Sequence, residues 1–244
     1  MTSQRLDEAL VARGLVQSRA RGRDAVLRGI VDVNGAAARK PSQTVTAADA
    51  ITLRDETARY VSRSALKLIH GFEAFPIDIS EKNCVDLGCS TGGFTQVLLE
   101  AGAAHVTAID VGHGQIAGQL AADPRVTLRE GLNARDITAT DVPRETALIV
   151  CDVSFISLTL ALPPLLTLVR SGTQIIALIK PQFEVGREAL GKGGVVRDDA
   201  LLTLTCERIS AFLRGQGWRV LGVVPSPITG GDGNREFLIA AKKA

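Results

Sequence analysis

Apolar positions recur at helical spacing near the front of the chain. Leu6, Ala9 and Leu10, with Arg13, share one face, and Gly14 follows where a helix C-cap belongs. Ser18 stands at an N-cap position ahead of a second helix that carries Ala25, Val26 and Leu27 and ends at Gly29. Ile30-Val31-Asp32-Val33 then reads as a strand running into Asn34-Gly35, a hairpin turn dipeptide. Residues 55–62 are polar and read as a linker. Beyond them a helix is expected over Val61–His70, followed by short apolar runs alternating with helical segments. The runs Asn83–Leu87, His105–Ile109, Ala147–Cys151 and Ile175–Ile179 lack polar alternation, which suits parallel strands buried on both faces. A helix over Leu201–Leu213 and strands over Trp218–Val224 and Glu236–Ala241 close the chain, the strands as an antiparallel pair. The expected fold is α/β, a Rossmann-like sheet with helices on both faces, plus a small α+β front domain over residues 1–54.

Composition supports that division. With 45% hydrophobic but only 4% aromatic residues, the 244-residue chain must fill its core with aliphatic side chains. The formal net charge of +2 predicts no partner, yet residues 1–59 hold 10 Lys and Arg against 7 Asp and Glu, and the remainder holds 18 against 19. Arg19, Arg21, Arg23 and Arg28 crowd the second helix; guanidinium pairs well with phosphate oxygens, and a solvated basic face is the alternative. Cys84, Cys89, Cys151 and Cys206 form no CxxC pair, so they read as reduced structural thiols and no metal is expected. The 17-residue uncharged run Val153–Val169 contains Pro163-Pro164 and is a poor membrane span, and the front of the chain shows no secretory signal. A cytoplasmic protein without a membrane partner is therefore expected.

The chemistry gathers where strands end. Strand Asn83–Leu87 turns through Gly88-Cys89-Ser90-Thr91-Gly92-Gly93 into a helix near Phe94. Such a glycine loop lets backbone approach a ligand closely, and the helix N-terminus offers free N–H groups. The spacing is neither the P-loop nor GxGxxG, which disfavours ATP and NAD. Asp110 ends the next strand, where a carboxylate would grip a ribose diol or merely cap a loop. Two more strands end in charge, at Asp152 and at Lys180-Pro181. Lys67, on its helix, and Glu236, at the start of the last strand, complete two lysines and two acids. Taken singly, each could be an ordinary solvated charge.

These residues carry family resemblances. Arg5-Leu6-Asp7, Gly14-Leu15-Val16-Gln17-Ser18-Arg19, Gly29–Gly35 and Lys40-Pro41 resemble the small RNA-binding domain of the ribosomal protein S-four type. That likeness implies structured RNA bound through Arg5, Arg19, Arg21, Arg23, Arg28 and Lys40. Asp86-x-Gly88 with Gly92-Gly93-Phe94 is similar to the first motif of S-adenosylmethionine-dependent methyltransferases. It implies S-adenosylmethionine held by Asp86, Gly88, Ser90, Gly92, Gly93, Phe94 and Asp110, with Asn133 toward the adenine. Lys67, Asp152, Lys180 and Glu236 resemble the Lys-Asp-Lys-Glu tetrad of FtsJ-type ribose 2′-O-methyltransferases, supported by Asp152–Ser157, Lys180–Glu184 and Gly230–Glu236. With the front domain, the chain resembles the TlyA-type, haemolysin-named rRNA methyltransferases along nearly its whole length. Ser64-Ala65 and His113 depart from the pattern, and neither removes a tetrad member. The resemblance implies methylation of rRNA cytidine 2′-hydroxyls in ribosomal subunits. Lys180 would be base or oxyanion stabiliser, with Lys67, Asp152 and Glu236 orienting it. Lys192 and Arg197 are candidate RNA contacts or part of a solvated loop. A membrane-lytic protein and a non-catalytic ribosome assembly factor are the competing classes. The target nucleotide and oligomeric state stay open.

Overall fold

The computed structural model describes residues 3–16, 18–54 and 59–244, except the side chains of Arg187 and Lys192. Gln17, most of the expected linker and the Lys192 contact lie outside the described residues. The chain divides into two compact units, Met1–Val61 and Ser62–Ala244.

In the front unit β1 (Gln4–Arg5) runs directly into α1 (Leu6–Ala12). The second helix, α2 (Arg19–Leu27), starts where Ser18 Oγ accepts from the Arg21 N–H. A hairpin joins β2 (Val31–Val33) to β3 (Ala36–Ala37). Its turn residues Asn34 and Gly35 have φ of 53° and 79°, the left-handed pair that a two-residue I′ turn demands. The strand β4 (Thr44–Val45) pairs with β1, and β5 (Ile51–Leu53) with β2. Leu6, Ala9, Leu10, Ala25, Val26 and Val31 fill the core between them. The Arg21 guanidinium donates to the Tyr60 carbonyl, which ties the end of the expected linker into this unit.

The second unit opens with α3 (Ala65–Ala74), which begins four residues later than its apolar pattern predicts. Ser62 Oγ accepts from the Ser64 N–H at 3.2 Å and from Ser64 Oγ at 3.0 Å, a local bend that competes with helix. Then follow β6 (Asn83–Leu87), α4 (Gly93–Glu100), β7 (His105–Asp110), α5 (Gly118–Ala121) and β8 (Val126–Glu130). The second half comprises β9 (Thr146–Cys151), α6 (Leu158–Ala161), α7 (Pro163–Leu168), β10 (Gln174–Ile179) and α8 (Pro181–Glu184). It ends with α9 (Asp199–Gly215), β11 (Trp218–Pro225) and β12 (Phe237–Lys243). The seven strands lie in the order β11-β12-β10-β9-β6-β7-β8. From β10 to β8 neighbours run parallel, and β12 is antiparallel to both β10 and β11.

The chain winds outward from β6 through β7 to β8, then returns to β9 on the other side. The connections that follow β6 and β9 therefore lead to opposite sides of the sheet, which makes their carboxyl ends a topological switch point, where open α/β sheets bind ligands. Ile175, Ile176, Ala177, Leu178 and Ile179 of β10 are all at most 1% exposed, as a strand covered on both faces requires. On one face α3 lies against the sheet closely enough that a Cβ on Gly71 would stand 3.3 Å from Ile176 Cγ2.

Candidate active site

At the switch point β6 leaves the sheet through Gly88, whose φ is +85°. A Cβ there would stand 3.0 Å from the Asp152 carbonyl and the Val153 nitrogen, so glycine lets the exits of β6 and β9 pass in contact. The loop is pinned to the end of β7. Asp110 accepts the Ser90 N–H at Oδ2 (2.8 Å) and the Gly112 N–H at Oδ1 (2.7 Å), while Ser90 Oγ donates to Gln115 Oε1 at 3.1 Å. These exits enclose a cavity of about 810 Å³ whose wall includes Gly88, Ser90, Asp110, Asn133, Asp152 and Phe155. That size suits a cofactor-scale ligand.

The remaining residues expected at the cofactor take other positions. Asp86 is completely buried and does not line the cavity. Its Oδ2 accepts from Thr95 Oγ1 at 2.6 Å, its Oδ1 has no hydrogen-bond partner among the described residues, and burial above all pushes its pKa up to about 7. Gly92 and Gly93 do not line the cavity; a Cβ on Gly93 would collide with Ser64 Oγ, so this glycine serves close packing of α4. Phe94 faces a smaller cavity of about 150 Å³ shared with Ser62, Ser64, Ser154 and Lys180. Asn133 is on the main wall, where its Oδ1 accepts from the Arg135 N–H at 3.0 Å.

The four ionic residues form two pairs at this end of the sheet, three of them buried and Asp152 partly exposed to the cavity. Lys180 Nζ lies 2.6 Å from Asp152 Oδ1, a close charge contact not aligned as a hydrogen bond. The same ammonium donates to Ser154 Oγ at 2.8 Å. Lys67 Nζ donates to Glu236 Oε2 at 2.6 Å. Register brings the pairs to neighbouring positions, because Ile179 and Phe237 face each other across β10 and β12, and Lys180 and Glu236 adjoin them. Glu236 lies just before β12 rather than inside it.

The sequence pattern gives no role to Phe155 or Phe183. Phe155, 90% exposed with φ of +65°, lines the cavity together with Phe183, their ring centres 5.1 Å apart. Neither periodicity nor charge marks an exposed aromatic in a left-handed backbone; only the folded loop does. The two cysteines nearest the chemistry are buried, and burial raises both thiols, Cys151 to about 12. A thiol held in that form is a poor nucleophile.

In the front unit Arg5, Arg19 and Arg23 line one shallow cavity with Pro41 and Ser42. Arg5 and Arg19 both bond the buried Asp7, and the Arg5 hydrogen bond leads in lowering its pKa to about 2. Arg28 pairs with Asp24 at 3.8 Å and Lys40 is exposed beside Pro41. Arg21 turns to the Tyr60 carbonyl instead, so the structure groups three of the six expected RNA contacts.

Residues 60–243 match the model of the FtsJ-like methyltransferase family. The chain belongs to that family. Residues 4–51 match the S4 domain. This FtsJ-like chain is 42% identical over 236 residues to a Mycobacterium tuberculosis protein named 16S/23S rRNA (cytidine-2′-O)-methyltransferase TlyA, covering 96% of this chain and 88% of that one. It is 38% identical to Hemolysin A of Brachyspira hyodysenteriae, with 96% and 98% covered. Among solved structures it resembles a haemolysin-named protein of Streptococcus thermophilus, with 38% identity, a TM-score of 0.78 and 100% and 90% covered. A Listeria monocytogenes structure described as an S-adenosylmethionine-dependent methyltransferase shares the fold at 18% identity, with a TM-score of 0.57 and 75% and 100% covered. No helix among the described residues is long and apolar enough to cross a membrane.

Proposed function

We propose that this protein methylates ribose 2′-hydroxyls of rRNA, at cytidines in ribosomal subunits, using S-adenosylmethionine, with the front domain holding the RNA. The observation that carries this reading is the Lys180–Asp152 pair, 2.6 Å apart, in which Asp152 lines both the large cavity at the sheet's switch point and the small one that Lys180 lines. The residues suit that cofactor: Ser90, Asp110 and Asn133 bring polar atoms to a largely apolar cleft beside the Gly88 turn. Gly88, Ser90, Asp110 and Asn133 would hold it. When bound, S-adenosylmethionine supplies an electrophilic methyl group.

Lys180 offers a donor at the carboxyl end of β10, aimed by Ser154 and Asp152, and its task is to hold the 2′-oxygen in line. The Asp152 carboxylate would take the hydroxyl proton and the Lys180 ammonium would meet negative charge developing on the 2′-oxygen, while the methyl group's bond to sulfur breaks to leave a neutral thioether. The buried Lys67–Glu236 pair, at the adjoining register position, would help orient Lys180 and the hydroxyl. Arg5, Arg19 and Arg23 present guanidinium groups to RNA phosphates. The haemolysin names attach to relatives.

The test supplies labelled S-adenosylmethionine and unmodified ribosomal subunits. Ribose-linked label on cytidine is expected, and its absence overturns the reading. Lys180→Ala should lower kcat by about 10²-fold or more with cofactor affinity retained, a loss typical of removing a transition-state donor. Wild-type turnover in that variant would remove the role given to Lys180.

A further inference from the structure

The segments leaving β9 and β10 are joined three times. The Asp152–Lys180 contact and the Lys180–Ser154 hydrogen bond make the first rung. The Phe155–Phe183 ring contact makes the second. The third is built on Glu184, whose side chain is 1% exposed. Its Oε1 accepts the Leu158 N–H at 2.7 Å, the first N–H of α6, and its Oε2 accepts Ser157 Oγ–H at 2.7 Å. Arg208, from α9, donates to the same Oε2 at 3.1 Å and to the Glu184 carbonyl. A buried carboxylate thus binds the residue that caps α6, the helix start itself and a third element.

Between the outer rungs lies Phe155. A phenylalanine at φ +65° is strained, and such a conformation persists only where its surroundings over-determine it. Lys180 has the same dependence: it begins the segment that Glu184 ends, and its partners Asp152 and Ser154 begin the segment that Ser157 ends. We infer that Glu184 is a positioning residue for methyl transfer, which holds the Lys180 amine and the Phe155 ring in place by clamping the two strand exits together. It touches neither reacting atoms nor cavity wall. This inference rests on the methyltransferase reading above.

Glu184→Gln keeps the shape and one acceptor for the Leu158 N–H but puts an amide where Ser157 and Arg208 both donate. Misplacement of a reacting group by about 1 Å costs on the order of 10²-fold in rate. Glu184→Gln should accordingly lower kcat by about 10- to 100-fold, with the KM for cofactor and for subunits within about threefold. Ser157→Ala, which removes one donor, should lose less, and the double variant no more than Glu184→Gln alone, because both break one clamp. Fluorine NMR of fluorophenylalanine-labelled protein should show the Phe155 resonance displaced in Glu184→Gln, a readout independent of turnover.

Wild-type kcat in Glu184→Gln, or an unmoved Phe155 resonance, overturns the inference. If Glu184→Gln does not fold, Ser157→Ala decides: unchanged kcat and resonance overturn it. Wild-type protein that labels no ribose would overturn the methyltransferase reading instead, and a displaced resonance would then leave a clamp without this catalytic purpose, so the inference falls with it.

Discussion

Asp86 shows how a single side chain ties the site to stability. It is fully buried behind the glycine loop, bonded through one oxygen to Thr95, and its pKa rises from 3.8 unfolded to about 7 in the fold, chiefly through burial. Between those values the native state binds more protons than the unfolded chain, so this group's contribution falls as pH rises from about 4 to about 7. Asp7 acts in the opposite sense: held by Arg5 and Arg19, its pKa drops to about 2, and the stability it adds is lost as pH falls from about 4 through about 2. Urea unfolding at pH 5 and pH 8 should show Asp86→Asn gaining stability relative to wild type at the higher pH. A constant difference between the two proteins would contradict the burial of an ionisable group at this position.

At the scale of elements, β10 carries the most. Its five apolar residues are sealed on both faces, and at its end stands Lys180. Ile176 touches α3, where Gly71 permits close approach, so a defect there loosens the helix that bears Lys67. Ile176→Ala should cost about 2–5 kcal/mol, the usual range for a buried large-to-small change. A chemical denaturation midpoint equal to wild type would show that β10 is not packed as described. The antiparallel return of β12 is equally specific, since slipping its register by one residue would turn Glu236 away from Lys67.

At the scale of the whole molecule, the S4 and FtsJ-like parts fall in separate compact units, so a change in one can be tested against the other. Arg23 lines the front cavity beside Arg5 and Arg19 and does not line the large cavity of the second unit. Arg23→Ala in the full chain should weaken binding to ribosomal subunits and reduce the salt slope of log K by about 0.7–0.9 for each phosphate the protein no longer neutralises. Cofactor affinity should be unchanged, as calorimetry can check. An unaltered salt slope would move the RNA-binding surface elsewhere.

Much of this was legible in the chain itself. Uninterrupted aliphatic runs mark strands covered on both faces, because a residue that must leave water on either side of a sheet cannot alternate with polar ones. Asn34-Gly35 fixes its own turn through local sterics, and charges at the ends of apolar runs mark Asp110, Asp152 and Lys180. What sequence could not decide are relations between distant segments. That Lys67 pairs with Glu236, 169 positions further along, depends on everything between them folding into one register. That Asp86 lies behind the loop, that Arg21 turns to Tyr60, and that Glu184 clamps two strand exits all depend on which side of a packed element each chain faces. Local preference fixes φ, ψ and periodicity over a few residues; only the assembled sheet fixes the direction in which a buried charge points, because its partner arrives from elsewhere in the chain.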